Sequence, residues 1–181
     1  MIANLITIAR IVLVPVFIWI LVAYPHPLDQ HRWLAVLFFV LSAATDGVDG
    51  AVARKRGEVT NLGKILDPIA DKLLIGGALV TLSALGQLQW WFTIVILVRE
   101  IGITVYRFIV IRKRVVAASG GGKLKTVLQS ILVGFLLAPH SGWVPWEILF
   151  PLIMVLMYVT LVVTIWTGVD YLIAAVKKNE R

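Results

Sequence analysis

Hydrophobic residues fill six long segments of the chain, and most polar residues lie in the connections between them. A helix needs about 20 mainly apolar residues to cross the hydrocarbon core of a bilayer. Five segments reach or approach that length, and the fifth along the chain is shorter. The pattern therefore predicts an all-α fold, a polytopic membrane bundle of about six transmembrane helices. The predicted spans are 5–23, 33–52, 65–85, 90–111, 126–138 and 146–176.

Turn-forming residues mark the connections. Gly86 follows the third span, and three successive glycines at 120–122 precede the fifth. Glycine adopts backbone conformations that are strained for other residues, so such positions favour turns over continued helix. Both sites are predicted to lie between helices.

Composition supports a lipid environment. Of the 181 residues, 60% are hydrophobic, and the mean hydropathy is +0.93, well above the level typical of soluble domains. The length suits a single domain covering 1–181. The net charge of +7 is concentrated at the ends of apolar segments, which indicates anionic lipid headgroups and no nucleic acid. Cysteine is absent, which excludes thiol chemistry.

The distribution of basic residues predicts the orientation. Of the 17 Lys and Arg residues, 12 lie in the connections after the second and fourth spans and in the tail, whereas the other connections hold only Arg32. Basic connections stay on the cytoplasmic side of a membrane. We therefore predict a multi-pass protein of the cell membrane with both termini in the cytoplasm.

Four aspartates form the most informative pattern. Asp46 and Asp49 are three residues apart, and Asp67 and Asp71 are four apart, so each pair falls on one face of a helix. Both pairs lie near the predicted cytoplasmic ends of consecutive spans. Acidic residues inside a membrane are expensive, and four close together would repel one another. Oxygen ligands suit a hard divalent cation such as Mg²⁺ or Mn²⁺.

Other classes of protein also place acids in membrane helices. A divalent-cation transporter would do so, usually near the midplane, and a non-catalytic scaffold would use the acids as packing partners. The position of the aspartates near the cytoplasmic boundary, beside Arg54 and several small residues, favours an enzyme that binds a diphosphate.

The chain resembles the CDP-alcohol phosphotransferase family, whose signature is D-x2-D-G-x2-A-R-x8-G-x3-D-x3-D. The sequence matches it at every position. The matching residues are Asp46, Asp49, Gly50, Ala53, Arg54, Gly63, Asp67 and Asp71. Weaker segments, Arg99-Glu100-Ile101 among them, resemble the bacterial phosphatidylglycerophosphate synthase group, and the six-span hydropathy extends the likeness over nearly the whole chain.

This resemblance implies an enzyme with two divalent cations held by Asp46, Asp49, Asp67 and Asp71, in which Asp71 also acts as the base. It implies that the CDP moiety is bound by Gly50, Ala53, Arg54 and Gly63. It further implies CDP-diacylglycerol as donor, glycerol 3-phosphate as acceptor, CMP as leaving group and a homodimer. Phosphatidylglycerol, which would give cardiolipin, and inositol phosphate stay open as acceptors.

An acceptor that carries a phosphate needs cations. The candidates are Arg99, Arg107, Lys123 and Lys125. For Arg99 the alternative is an ion pair with Glu100 or an aspartate, and for Arg107 it is an ordinary snorkelling side chain.

Overall fold

A computed structural model describes the backbone of residues 2–56, 61–111, 120–140 and 145–179, and the side chains of 8–45, 69–106, 122, 124–140 and 145–174. These residues form six α-helices and no strand. The helices are α1 Ile2–Ala23, α2 Arg32–Arg56, α3 Asn61–Ala84, α4 Trp90–Ile111, α5 Gly120–Leu137 and α6 Trp146–Asn179. The prediction of an all-α bundle with six helices is confirmed.

The helix boundaries differ from the predicted spans mainly near the polar ends. α2 continues to Arg56 and α3 begins at Asn61, so both helices extend past their apolar segments. The glycines at 120–122 were predicted to form a turn, and that prediction is wrong, because α5 begins at Gly120. Glycine costs about 1 kcal/mol against alanine in a helix interior. That cost applies to helix interiors, whereas these glycines lie in the first turn of α5, where the N–H groups have no intrahelical partner.

The turn at Gly86 is confirmed. Gly86 has a φ of 71°, in the left-handed region. Its N–H donates to the carbonyl of Ser83, and the N–H of Gln87 donates to the carbonyl of Leu82. These two bonds satisfy the last carbonyls of α3 in the arrangement that glycine commonly forms at the end of a helix.

α3 lies at the centre of the bundle and contacts α1, α2, α4 and α5. Two glycines allow close approach on its sides. A Cβ on Gly77 would lie 2.9 Å from Cδ1 of Ile18 on α1, and a Cβ on Gly76 would lie 3.1 Å from Cδ2 of Leu97 on α4. The helix that carries Asp67 and Asp71 is therefore surrounded by neighbours.

Apolar side chains form a continuous core between the helices. Phe17 and Phe39 meet edge to face with ring centroids 6.2 Å apart, and Leu79, Phe92 and Leu132 are buried in the same cluster. Aromatic pairs of this geometry contribute beyond the area they bury. The core joins residues from every helix.

The outer surface is also apolar. Trp19 and Trp166 are each 67% exposed, and Val98 and Val162 are exposed nearly as far. Large apolar groups on all sides of a bundle indicate lipid as the surrounding medium. Among the described residues, one helix segment, Trp146–Ala174, is long and apolar enough by itself to cross a membrane. The fold is an all-α membrane bundle.

At the end of the bundle opposite Arg56, hydrogen bonds link the connections between helices. Arg32 is fully buried, and its Nη2 donates to the carbonyl of Leu136, 3.0 Å away, at the end of α5. A cation at a helix C-terminus is favoured by the helix dipole. The N–H of His140 donates to the carbonyl of Pro27 at 2.8 Å. These contacts join α2, α5 and the connections around them.

Candidate active site

The two aspartate pairs lie on neighbouring helices. The backbone is helical at Asp46 and Asp49 in α2 and at Asp67 and Asp71 in α3, so each pair shares a helix face as predicted. α2 ends at Arg56, α3 begins at Asn61, and the two helices contact each other. Antiparallel neighbours with such a short connection keep these ends close together.

The structure describes the side chain of one of the four aspartates. Asp71 is partly buried on α3. Several other predicted site residues lie on helical backbone but outside the described side chains. They are Asp46, Asp49, Gly50, Ala53, Arg54, Gly63, Asp67, Arg107 and Lys123. The described side chains include no group of three acids or histidines suited to a metal. Convergence of the four carboxylates stays a prediction.

A polar cluster lies inside the bundle with Glu100 on α4 at its centre, and one of its members, Lys72, directly follows Asp71 in sequence. Nζ of Lys125 on α5 lies 2.5 Å from Oε1 of Glu100. Nη1 of Arg99 lies 3.0 Å from the same oxygen, and Nζ of Lys72 on α3 lies 3.6 Å from Oε2. One carboxylate therefore joins cations from three helices.

Arg99 also donates hydrogen bonds to α6. Its Nε donates to the carbonyl of Thr164 at 2.9 Å, and its Nη2 donates to Oγ1 of Thr167 at 2.9 Å. With the contact of Nη1 to Glu100, all three guanidinium nitrogens have protein acceptors. The pairing of Arg99 with Glu100, which the sequence left open, is present in the structure.

Lys125 and Gln129 lie one turn apart on α5 and both face the cluster. Lys125 is 7% exposed and Gln129 is 4% exposed. Nε2 of Gln129 lies 3.4 Å from Oε1 of Glu100 and 3.3 Å from Oγ1 of Thr164. Buried polar groups in a membrane bundle must find such partners within the protein.

The cluster carries more positive than negative charge. Lys72, Arg99 and Lys125 surround Glu100, and each ion pair lies where the side chains are mostly shielded from solvent. Buried charges are expensive unless they are paired. An arrangement of this kind is suited to binding an anion.

Sequence analysis missed several members of this cluster. It assigned no role to Thr164 or Thr167, and it did not connect Lys72 with Glu100. A signal for the threonines exists, because Thr160, Thr164 and Thr167 are spaced by four and three residues and share one face of α6. All three are buried.

Comparison with known proteins identifies the family. The family model for CDP-alcohol phosphatidyltransferase matches residues 1–166. The probable phosphatidylglycerophosphate synthase of Mycobacterium tuberculosis (strain H37Rv) is 43% identical over 175 residues, covering 97% of this chain and 81% of that protein.

Two relatives of lower identity support the same family assignment. The CDP-diacylglycerol–glycerol-3-phosphate 3-phosphatidyltransferase of Bacillus subtilis (strain 168) is 38% identical over 182 residues, covering 93% of this chain and 91% of that protein. The protein of the same name from Escherichia coli (strain K12) is 34% identical over 180 residues, covering 96% and 94%. The chain is therefore an enzyme that belongs to the CDP-alcohol phosphatidyltransferase family.

Proposed function

We propose that this enzyme transfers the phosphatidyl group of CDP-diacylglycerol to glycerol 3-phosphate, giving phosphatidylglycerophosphate and CMP. The observation that carries the proposal is the likeness to relatives named for this reaction over nearly their whole length. The complete aspartate signature on α2 and α3 supports it, as does the buried cationic cluster around Glu100.

The four aspartates would hold two divalent cations, Mg²⁺ or Mn²⁺. The helical spacing of each pair and the contact between α2 and α3 fit such a site, and carboxylate oxygens are the ligands these ions prefer. Cations held there would offset the negative charge of a diphosphate, which otherwise repels an attacking hydroxyl. The four carboxylates otherwise repel one another.

The donor's CDP moiety would lie along the same two helices. Gly50 and Ala53 leave room on α2, Gly63 leaves room at the start of α3, and Arg54 can bind two phosphate oxygens at once. This placement puts the reactive phosphorus next to the aspartates.

Asp71 would act as general base. The acceptor hydroxyl attacks the lipid-linked phosphorus, its proton passes to the Asp71 carboxylate, and the bond from that phosphorus to the oxygen of CMP breaks. A carboxylate within hydrogen-bond reach of the hydroxyl is suited to this transfer. No covalent intermediate is required.

The acceptor's phosphate would bind to basic residues on α4 and α5. Lys125 is the main candidate, because its ammonium group is buried and contacts the same Glu100 carboxylate as Lys72, which follows Asp71 in sequence. Arg107 and Lys123 lie on the same two helices, nearer their connected ends. Arg99 would support the site indirectly, because each of its three nitrogens already donates a hydrogen bond to a protein oxygen.

The proposed setting is the cell membrane, with both termini and the active site on the cytoplasmic side and the chain acting as a homodimer. The excess of basic residues on one side supports the orientation. Glycerol 3-phosphate is water-soluble, so a site that opens towards the cytoplasm suits it.

The test is turnover by purified protein in detergent, measured as CMP release from CDP-diacylglycerol. Glycerol 3-phosphate should be the best acceptor in a panel that includes inositol phosphate, phosphatidylglycerol and plain glycerol. Excess EDTA should abolish release, and added Mg²⁺ or Mn²⁺ should restore it. Preference for another acceptor would reject the proposed substrate, and full activity in EDTA would reject the metal site.

A further inference from the structure

Glu100 has no part in the chemistry described above, yet four side chains contact its carboxylate. It is 8% exposed and lies in the interior of the bundle. Its two oxygens contact Lys125, Arg99, Lys72 and Gln129. An intramembrane acid with this many partners is a candidate for function.

We infer that Glu100 is a positioning residue of the acceptor site, which holds the ammonium groups of Lys72 and Lys125 where the acceptor's phosphate binds. The inference rests on the proposed function and adds two residues to it, Glu100 and Lys72. Glu100 itself touches no substrate.

The contacts divide the cations into two kinds. Arg99 donates from each of its three nitrogens to a protein oxygen on α4 or α6, so its guanidinium is fixed in position by three hydrogen bonds. It fixes Glu100 to α6. The two lysines are held less firmly, because each ammonium group has three N–H donors and contacts Glu100 alone among the described side chains.

Both lysines keep unused donors within the described part of the chain. Lys125 makes one hydrogen bond, to Glu100, although its side chain is only 9% exposed. Lys72 makes a looser ion pair at 3.6 Å and is 25% exposed. Buried ammonium donors without acceptors are costly. A phosphate oxygen would satisfy them.

The net charge of the cluster fits the same ligand. Three cations and one carboxylate leave an excess of two positive charges. A phosphate monoester carries about −1.5 to −2 at neutral pH. Without Glu100 the three cations would repel one another and spread apart, so the carboxylate also keeps them close enough to act on one phosphate.

The location suits the reaction. Lys72 follows Asp71 directly on α3, and Lys125 is bound to the same carboxylate as Lys72. Glycerol 3-phosphate is short, so its phosphate and its reactive hydroxyl cannot be far apart. Consecutive Cα atoms lie about 3.8 Å apart, so a phosphate bound near Lys72 would place the hydroxyl in the same part of α3 as the proposed base.

The experiment measures acceptor and donor KM, kcat and melting temperature for four proteins: the parent, Glu100→Gln, Lys125→Met and the double variant. Glutamine keeps the size of the side chain but removes its charge and turns an amide N–H₂ towards the cations. Glu100→Gln should raise the acceptor KM by about tenfold to a hundredfold and leave the donor KM unchanged within about twofold.

The double variant decides whether Glu100 acts through Lys125. If it does, Glu100→Gln/Lys125→Met should be little worse than Lys125→Met alone, because coupled residues are not additive. Thr104→Ala is the matched control. It removes a half-buried hydroxyl that bonds the backbone carbonyl of Glu100, and it leaves the carboxylate in place. It should keep the parent's kinetics.

Three outcomes would overturn the inference. They are a normal acceptor KM for folded Glu100→Gln, an equal loss for donor and acceptor, and fully additive effects in the double variant. If Glu100→Gln does not fold, Glu100→Asp replaces it, and its shorter side chain should still raise the acceptor KM selectively.

Failure of the proposed function would give a different result. If the parent prefers another alcohol that carries a phosphate monoester, the proposed acceptor is wrong, and the same four proteins test Glu100 with that alcohol. If the parent prefers an alcohol without a phosphate monoester, both the acceptor and the role of Glu100 are rejected.

Discussion

Gly168 on α6 lies directly against the side chain of Arg99 on α4. A Cβ at this position would lie 3.0 Å from Nε of Arg99 and 3.3 Å from its Cγ. Because Arg99 is held by Thr164, Thr167 and Glu100, it has little freedom to move away. The small residue at 168 is therefore what allows the two helices to enclose this arginine.

We expect Gly168→Ala to lower stability. The added methyl group must displace either Arg99 or the backbone of α6, and overpacking of this kind costs about 1–3 kcal/mol. Gly134→Ala on α5 is the control, since nothing lies within 4 Å of its Cβ position and alanine favours helix. Melting in detergent should show a lower temperature for Gly168→Ala and an equal or higher one for Gly134→Ala. The same result for both would contradict the close contact.

The hydrogen bond between Ser83 and Thr93 should couple α3 to α4. Their hydroxyl oxygens are 2.7 Å apart, and both residues are buried. Ser83→Ala or Thr93→Val alone leaves a buried hydroxyl without this partner, which should cost roughly 0.5–1.7 kcal/mol in a membrane bundle. The double variant should lose less than the sum of the two. Purely additive losses in a denaturation experiment would show that the bond contributes nothing.

His140 should make stability depend on pH. Burial of the ring, together with the nearby charge of Arg32, lowers the pKa of His140 below its ordinary value. The folded state therefore binds a proton less readily than the unfolded state, in which the pKa is about 6.5. Above that pH the group has no effect, and stability falls as the pH drops below it.

The measurement is the melting temperature of the parent and of His140→Phe in the same detergent between about pH 7.5 and pH 5. Phenylalanine keeps a ring that can stack on Trp146, as His140 does with centroids 4.4 Å apart. The parent should lose more stability than the variant on acidification. Parallel curves would mean that protonation of His140 is not linked to folding.

Asp49 and Asp71 should have separable roles. Asp49→Asn should weaken metal binding and turnover together, so that more Mg²⁺ is needed for half-maximal rate. Asp71→Asn should abolish CMP release and largely spare donor binding, if Asp71 is the base. Turnover at varied Mg²⁺ and donor binding by calorimetry give the two readouts. Near-normal turnover by Asp71→Asn would place the base elsewhere.

The helices were predictable because lipid offers no hydrogen bonds to the backbone, so long apolar runs must be helical. The aspartate spacing was equally readable, since three- and four-residue steps fix which side chains share a helix face. The prediction of a turn at 120–122 was wrong because the turn preference of glycine is weaker than the tendency of the following segment to form a helix that begins at Gly120. These features depend on local sequence alone.

The cluster around Glu100 could be predicted only in part. Its neighbour Arg99 was a natural partner, but Lys125 and Thr164 lie on other helices, 25 and 64 residues further along the chain. Which faces of α4, α5 and α6 meet depends on helix rotation and packing, and Gly168 helps to set both. A single sequence contains that information only through the whole packed core.

Because α2 runs without interruption from Arg32 to Arg56, it also sets the depth of the proposed metal site in the membrane. At 1.5 Å per residue, Asp46 lies about 21 Å along the helix from Arg32, within a hydrocarbon layer about 30 Å thick. Measured from a boundary at Arg32, that level is about 9 Å short of the opposite face of the layer. Each methylene withdrawn from lipid into water costs about 0.8 kcal/mol. A donor with two acyl chains can therefore react while its tails stay dissolved in the bilayer.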